Sequence, residues 1–359
     1  MSNETAALKS SQTCDSEACL LKSYQLRHLI RTVDFLLFRY ATSDQMKKNQ
    51  LVLCFICSIN FSAFSQIAAS DLVKVFLPGV VSTGYNERDM AISPDGTEMF
   101  YTIQAPRMAM SVIVRRTLNE NHWSDAEVAP FSGQFSDLEA VFSEDGKKLF
   151  FVSNRPIQPG GPSKDYDIWY VEKNKQGWSN PVHAGTQINS KADEYYPSPT
   201  SDGSIYFTAE RPDALGKEDI YKSQWSNNQF QKPVNIGAGV NSKLDEFNAF
   251  VDPHEQYILF GTEGGEGDLG RGDLYISYRN ANGTWTKGRN LGSPINSSRL
   301  DYCPFVYKET LYFTSERAIP ISDGTQKQSL KEMKNKLDSW GNGWGDIYSV
   351  PLNSIIQLK

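Results

Sequence analysis

Cysteine is nearly missing from the larger part of this chain. Of its five cysteines, Cys14, Cys19, Cys54 and Cys57 precede residue 66, and Cys303 alone follows it. The long C-terminal part can therefore form no internal disulfide. Its stability has to come from a packed core, and about 290 residues suffice to bury one. Cys303 lies in an apolar strand pattern, which reads as a buried structural thiol rather than a nucleophile. Histidine is equally sparse: His122, His183 and His254 stand at dissimilar places in that part of the chain. That argues against a histidine-based metal site and against a Ser-His-Asp set. No Gly-x-Ser-x-Gly elbow and no glycine-rich phosphate loop occurs. An excess of positive charge is also lacking. Residues 66–359 carry 29 Lys and Arg against 37 Asp and Glu. A nucleic-acid partner needs a basic footprint, so that class is disfavoured, as is an anionic membrane surface.

No long apolar run follows residue 70. The one such run lies earlier, in Leu51-Val52-Leu53-Cys54-Phe55-Ile56-Cys57-Ser58-Ile59. Lys47 and Lys48 precede it, and Ala63 and Ser65 form a small-x-small cleavage pattern after it. This is the layout of a secretory signal beginning at Met46. The expected organisation is an upstream extension over 1–45 from a mis-assigned start, a signal peptide over 46–65, and one domain over 66–359. The rival takes Met1 as the start and 51–69 as a membrane anchor, but Asn60, Gln66 and several serines interrupt that stretch. A lipid anchor fits poorly, because Cys54 and Cys57 follow bulky residues. The expected location is outside the cytoplasm: periplasmic, outer-membrane-associated or extracellular.

What is abundant is a repeat. A strand, a Ser-x-Asp-Gly turn and a strand ending in aromatics recur as Ser93-Pro94-Asp95-Gly96 before Phe100-Tyr101, and as Ser143-Glu144-Asp145-Gly146 before Phe150-Phe151. A third copy runs Ser201-Asp202-Gly203 before Tyr206-Phe207. Degenerate copies are Asp252-Pro253-His254-Glu255 before Leu259-Phe260, and Tyr307-Lys308-Glu309 before Tyr312-Phe313. Asp-Gly suits the positive-φ positions of a tight hairpin. Third strands follow at Asp167, Asp219, Asp273 and Asp346, with Ser111-Val112-Ile113-Val114 in the first copy. Fourth strands are expected after Trp123, Trp178, Phe230 and Trp285. Four strands repeating every 50–57 residues predict propeller blades. Five hairpins predict an all-β, five-bladed β-propeller of four-stranded blades. The fifth blade lacks an outer strand, and residues 72–79 carry the outer-strand pattern without a blade of their own. They are expected to complete that blade and close the ring.

Three phrases carry a family resemblance: Ile188-Asn189-Ser190-Lys191-Ala192-Asp193-Glu194-Tyr195-Tyr196-Pro197, Tyr206-Phe207-Thr208-Ala209-Glu210-Arg211-Pro212, and Asp219-Ile220-Tyr221. With these the chain resembles the TolB-like, WD40-like propeller repeat proteins of the bacterial, Bacteroidetes-type cell envelope, over about residues 85–352. The resemblance implies an envelope or extracellular location and a binding or scaffolding role. Longer members often add an OmpA-like peptidoglycan-binding domain. Residues up to 359 contain none, so peptidoglycan anchoring is not carried over. Repeat similarity transfers fold better than function.

In a propeller, the loops after the outer strands and those between second and third strands share one face. Glu87, Asp137, Glu194, Glu246 and Asp301 fall at the starts of the inner strands on that face. Arg155, Arg211 and Arg317 end second strands there, with Arg107 shifted. Glu87, Asp137 and the three arginines are candidates for a polar funnel that binds a sugar, a peptide or a cation. Glu139, off the repeat register, joins Glu194, Glu246 and Asp301 as candidate catalytic acids. The competing reading pairs repeated acids and arginines between neighbouring blades, since a residue recurring in every blade usually serves the blade. The repeat breaks most clearly at an insertion over 318–345. There Leu330, Met333 and Leu337 have helical spacing, and Trp340 and Trp344 are ligand-contact candidates. This insertion is expected either to form a lid or partner contact, or to pack its apolar edge onto the ring. The acidic loop 263–273 offers oxygen ligands for Ca²⁺ without EF-hand spacing, so a flexible loop is the simpler reading. No cofactor is expected otherwise. Arg271-Gly272-Asp273 reads as chance, because Asp273 is a repeat aspartate.

These features point to a non-enzymatic binding or scaffold propeller that recognises a glycan, a peptide or an envelope protein. The alternative is a carbohydrate-active enzyme with carboxylates in the central funnel. Geometry separates them. An enzyme needs two carboxylates about 5–9.5 Å apart in an open pocket, whereas a scaffold ties each acid to arginine or backbone N–H.

Overall fold

A computed structural model describes residues 72–320, 322 and 324–355. The extension expected over 1–45 and the signal expected over 46–65 lie outside the described residues. Five blades form a ring. Their inner strands are Asn86–Ile92, Asp137–Phe142, Glu194–Pro199, Glu246–Val251 and Asp301–Tyr307. Each pairs antiparallel with a second strand, and that with a third. Inner strands neighbour one another in cyclic order, the fifth lying against the first. The fold is the expected five-bladed β-propeller.

The outer strands are short: Glu127–Val128, Val182–His183, Val234–Asn235 and Arg289–Asn290. The fifth is supplied from the other end of the described chain. Lys74–Val75 pairs antiparallel with Asp346–Pro351, in the register Lys74↔Ser349 and Val75↔Tyr348. Phe76 N–H donates to Ile347 O at 2.7 Å, and the Phe76 ring meets Tyr312 edge-on at 5.1 Å. Without this strand the third strand of blade 5 would expose an unpaired edge.

The hairpin turns follow from their residues. Gly96, Gly146 and Gly203 take φ of 79°, 67° and 83°, where a side chain is strained. The preceding aspartates close the turns, with Asp95 Oδ1 accepting from Ser93 Oγ at 2.6 Å and from Thr97 N–H at 3.0 Å. Apolar residues of the first three strands fill the spaces between blades. Tyr101, Phe151, Phe207 and Phe313 are almost fully buried. Among the described residues no helix is long and apolar enough to cross a membrane.

Candidate functional site

The five recurring acids lie in one layer at the starts of the inner strands, and all are buried. Glu194 accepts from Ser190 N–H and Oγ–H, Glu246 from Ser242 and Asp301 from Ser297 in the same way. Glu87 does so from Thr83, and Asp137 accepts from Ser132 Oγ at 2.8 Å. The residue before the serine performs a second task in three blades. Asn189, Asn241 and Asn296 each accept from the N–H and donate to the C=O of one residue on a third strand: Ile168, Ile220 and Leu274. The Asn-Ser-x-x-x-acid phrase is thus a clamp between successive blades.

Arginines complete three of these acids. Arg155 meets Asp137 at 2.7 Å, Arg317 meets Asp301 at 2.9 Å and Arg211 meets Glu194 at 3.4 Å. Each pair forms within one blade, rather than between neighbouring blades as the sequence suggested, because the arginine lies two residues past the strand hydrogen-bonded to its own inner strand. Arg155 also donates to Phe131 O, and Arg317 to Pro294 O. Arg107 is exposed with φ of 58° and stands outside this layer. Among the described residues, Glu87 and Glu246 have no arginine in an ion pair. Burial pushes Glu246 up to about 7 against the bonds from Ser242. Burial does the same to Glu194, to about 7, against Ser190 and Arg211.

A different layer holds the polar residues that do not recur. In every inner strand the register with the second strand slips at one place: after Arg88, Leu138, Tyr195, Phe247 and Tyr302. The next residue is left-handed in all five, with φ of 47° at Asp89, 60° at Glu139, 50° at Tyr196, 49° at Asn248 and 49° at Cys303. Such β-bulges re-aim a side chain. For Glu, Tyr and Cys the left-handed conformation costs about 1–2 kcal/mol each.

These residues meet across the axis. Glu139 Oε1 accepts from Arg88 Nη2 at 2.7 Å and from Asn248 Nδ2 at 3.2 Å, while Oε2 accepts from Tyr196 N–H at 2.7 Å. Arg88 Nε donates to Asp89 Oδ2 at 2.7 Å, and Nη2 also reaches Cys303 Sγ at 3.3 Å. The Arg88 guanidinium stands 5.1 Å from the Tyr302 ring centroid, and Tyr196 Oη donates to Pro304 O at 2.9 Å. One buried network therefore joins all five blades. Burial raises the Glu139 carboxyl to about 7 despite Arg88, raises Asp89 and pushes the Cys303 thiol up. The free space beside Glu139, Tyr196 and Pro304 is about 10 Å³, the room of a single water.

Asp89, Glu139 and Cys303 have ligand atoms within 4.8 Å of one another. Arg88 already supplies a positive charge to both carboxylates, and a thiol is a poor ligand for a hard cation such as Ca²⁺. In the acidic loop, Asp268 accepts from Gly264 N–H, and Asp273 is buried at a strand start, accepting from Leu269 N–H and Asn290.

The insertion is tied down at its base. Ile319 N–H donates to Gly341 O at 2.8 Å, and Asn342 Nδ2 donates to Gly84 O at 3.1 Å. Its helix, Leu330–Leu337, starts at a Ser329–Glu332 capping box and buries none of its residues. Leu330, Met333 and Leu337 are 70%, 36% and 53% exposed, so the apolar edge does not pack onto the ring. Trp344 is also exposed, and Trp340 is half-buried.

The structure thus separates the sequence candidates. Glu87, Asp137, Arg155, Glu194, Arg211, Glu246, Asp301 and Arg317 share the recurring layer, Glu139 the axial network, and Trp340 and Trp344 the insertion. Arg88, Asp89, Tyr196, Asn248 and Tyr302 had not been singled out. Aligning the five repeats on their first acid would have found the axial column, since the residue two places later is Asp, Glu, Tyr, Asn or Cys.

No family model and no curated protein matches the chain. Solved structures match it at the level of fold. TolB from Acinetobacter baumannii is 12% identical with a TM-score of 0.40, over 74% of this chain and 54% of TolB; the chain thus spans about half of that protein. An α-L-arabinofuranosidase from Lactobacillus brevis is 12% identical with a TM-score of 0.43, over 79% of this chain and 93% of the enzyme. A glycoside hydrolase is 8% identical with a TM-score of 0.50, over 81% and 95%. The class that the blade topology defines is the β-propeller.

Proposed function

We propose that this protein is a non-catalytic binding propeller of the bacterial envelope, acting through surface clefts and loops rather than through its axis. The observation that carries this reading is the Arg88 guanidinium, held at 2.7 Å by both Asp89 and Glu139. A glycosidase needs its two carboxyls free, apart by about 5–9.5 Å, and open to sugar and water. Here Asp89 and Glu139 share one guanidinium, and the free space beside Glu139 is about 10 Å³. The recurring acids are equally committed, each to a hydroxyl, and three of them also to an arginine. The TolB-like phrases and the signal pattern from Met46 support an exported, envelope-associated protein. The partner is a glycan, a peptide or an envelope protein.

Two measurements test this reading. Protein exported by its native host should begin at or near Gln66 by mass spectrometry; an intact Met1 would contradict export through that signal. The full chain incubated with soluble polysaccharides should release no new reducing ends. Turnover of any of them would replace this reading with the glycosidase one.

A further inference from the structure

Two clefts lie on the face opposite the insertion, where the Ser-x-Asp-Gly turns emerge. One of about 520 Å³ runs between blades 2 and 3, within the range of about 300–1,000 Å³ common for small-molecule sites. A second, of about 560 Å³ between blades 1 and 2, shares Asp145, Lys147 and Lys173 with it. The two form a groove across three blades.

From the geometry we infer that this groove is a binding site for a neutral oligosaccharide, with Trp225 as the platform on which a sugar ring stacks. This rests on the binding-protein reading above and gives it a ligand class and a place. Blade 3 differs from its neighbours here in one residue. The hairpin after the third strand recurs, but opposite its closing aromatic blade 3 has Trp225 where blades 1, 2 and 4 have Leu118, Lys173 and Arg279, and Trp225 lines the cleft. The indole is held from two sides. Phe230 meets it edge-on at 4.7 Å. The turn at Gly203 lies so close that an added Cβ would come within 3.3 Å of the ring. A rigid aromatic face costs little entropy on binding, and the C–H faces of a pyranose ring suit it.

The rim supplies polar groups without net charge. Lys147 pairs with Asp145 at 3.0 Å, Lys148 with Glu172 at 3.4 Å and Lys173 with Glu98 at 2.5 Å. Three of the four lysines lining the groove are thus already paired, which weakens its pull on an anion. Sugar hydroxyls, which both donate and accept, can bond to ammonium and carboxylate together. Lys148 stands 5.7 Å from the Trp225 centroid, within reach of a ring stacked there.

Native affinity gels containing galactan, arabinan, xyloglucan or polygalacturonate test the site, with the full chain and three variants: Trp225→Ala, Lys148→Ala and Leu330→Asp. At least one neutral polysaccharide should retard the wild type. Affinity should fall about tenfold or more in Trp225→Ala, as for a truncated aromatic anchor, and about fivefold in Lys148→Ala. Leu330→Asp, on the opposite face, should bind like wild type. Lys148 is a rim residue, so that variant stays informative if Trp225→Ala does not fold. Retardation unchanged in both groove variants, or none by any neutral polysaccharide, overturns the site. New reducing ends in the same samples would instead overturn the non-catalytic reading on which it rests.

Discussion

Arg88 on the inner strand of blade 1 donates to Glu139 on the inner strand of blade 2, 2.7 Å across the propeller axis. The same guanidinium holds Asp89 and touches Cys303 of blade 5. Removing one partner of a buried, hydrogen-bonded charge network leaves the others uncompensated, at a cost of about 3–5 kcal/mol. Arg88→Met should therefore lower the unfolding free energy by about that amount, read from chemical denaturation. A loss below about 1 kcal/mol, typical of an exposed ion pair, would show that the network does not hold the blades.

Stability should fall as pH rises from about 5 to 8. Burial raises Glu194, Glu246 and Asp346 from ordinary values of 4.5, 4.5 and 3.8 to about 7. A carboxyl whose folded pKa is raised keeps its proton in the native state after the unfolded chain has lost it. The native state then binds more protons than the unfolded one, and its stability declines with pH until the folded value is passed. Asp95 and Asp145, lowered to about 2 by hydrogen bonds within their turns, act with the opposite sign below pH 4. Thermal melts at pH 3, 5, 6.5 and 8 should peak near pH 5. A Tm that climbs steadily to pH 8 would contradict these burial assignments.

Ring closure depends on a segment remote in sequence. Ser82 Oγ donates to Ile347 O and accepts from Ile347 N–H, and Val75 and Phe76 pack on the core. Deleting residues 72–82 removes the buried Val81, the partly buried Val73, Val75, Phe76 and Leu77, and several main-chain bonds, so roughly 4 kcal/mol or more should be lost. A truncated protein that melts with the full chain would rule out closure by this strand.

Cys303 should be inert in the native state. It is 1% exposed, and burial pushes its thiol up, which keeps the reactive thiolate scarce. Under native conditions iodoacetamide should leave the Cys303 peptide unmodified by mass spectrometry, and in denaturant it should modify it fully. Rapid native labelling would mean that the axis opens.

The blades were readable because their signals are local. Gly96 and Asp95 encode a turn within four residues, and Asp167, Asp219, Asp273 and Asp346 each mark the start of a third strand. The acids of the recurring layer were also visible as a column. Their partners were not, because pairing of Arg155 with Asp137 depends on the antiparallel register that sets Ser153 opposite Asp137 and so brings Arg155 within reach. Least legible was the axial layer. A bulge at Asp89 or Tyr196 arises where five inner strands converge, and no run of neighbouring residues specifies that. The residues there also differ from blade to blade, so a search for repetition passes over them. Glu139 stood out only as an acid off the register. The helix at 330–337 was legible from its spacing, but the exposure of Leu330 and Leu337 was not, since periodicity does not say which side is covered.

The central claim is that the axial polar network locks the ring and is not an active site. The most direct test is the stability of Glu139→Gln. A lock predicts a clear loss, about 3 kcal/mol or more, because the change leaves Arg88 without its carboxylate and turns one acceptor into a donor facing other donors. Catalytic groups, by contrast, are commonly held at a cost to stability, and their removal leaves it unchanged or raises it. A Glu139→Gln protein as stable as wild type, or more so, would contradict the account.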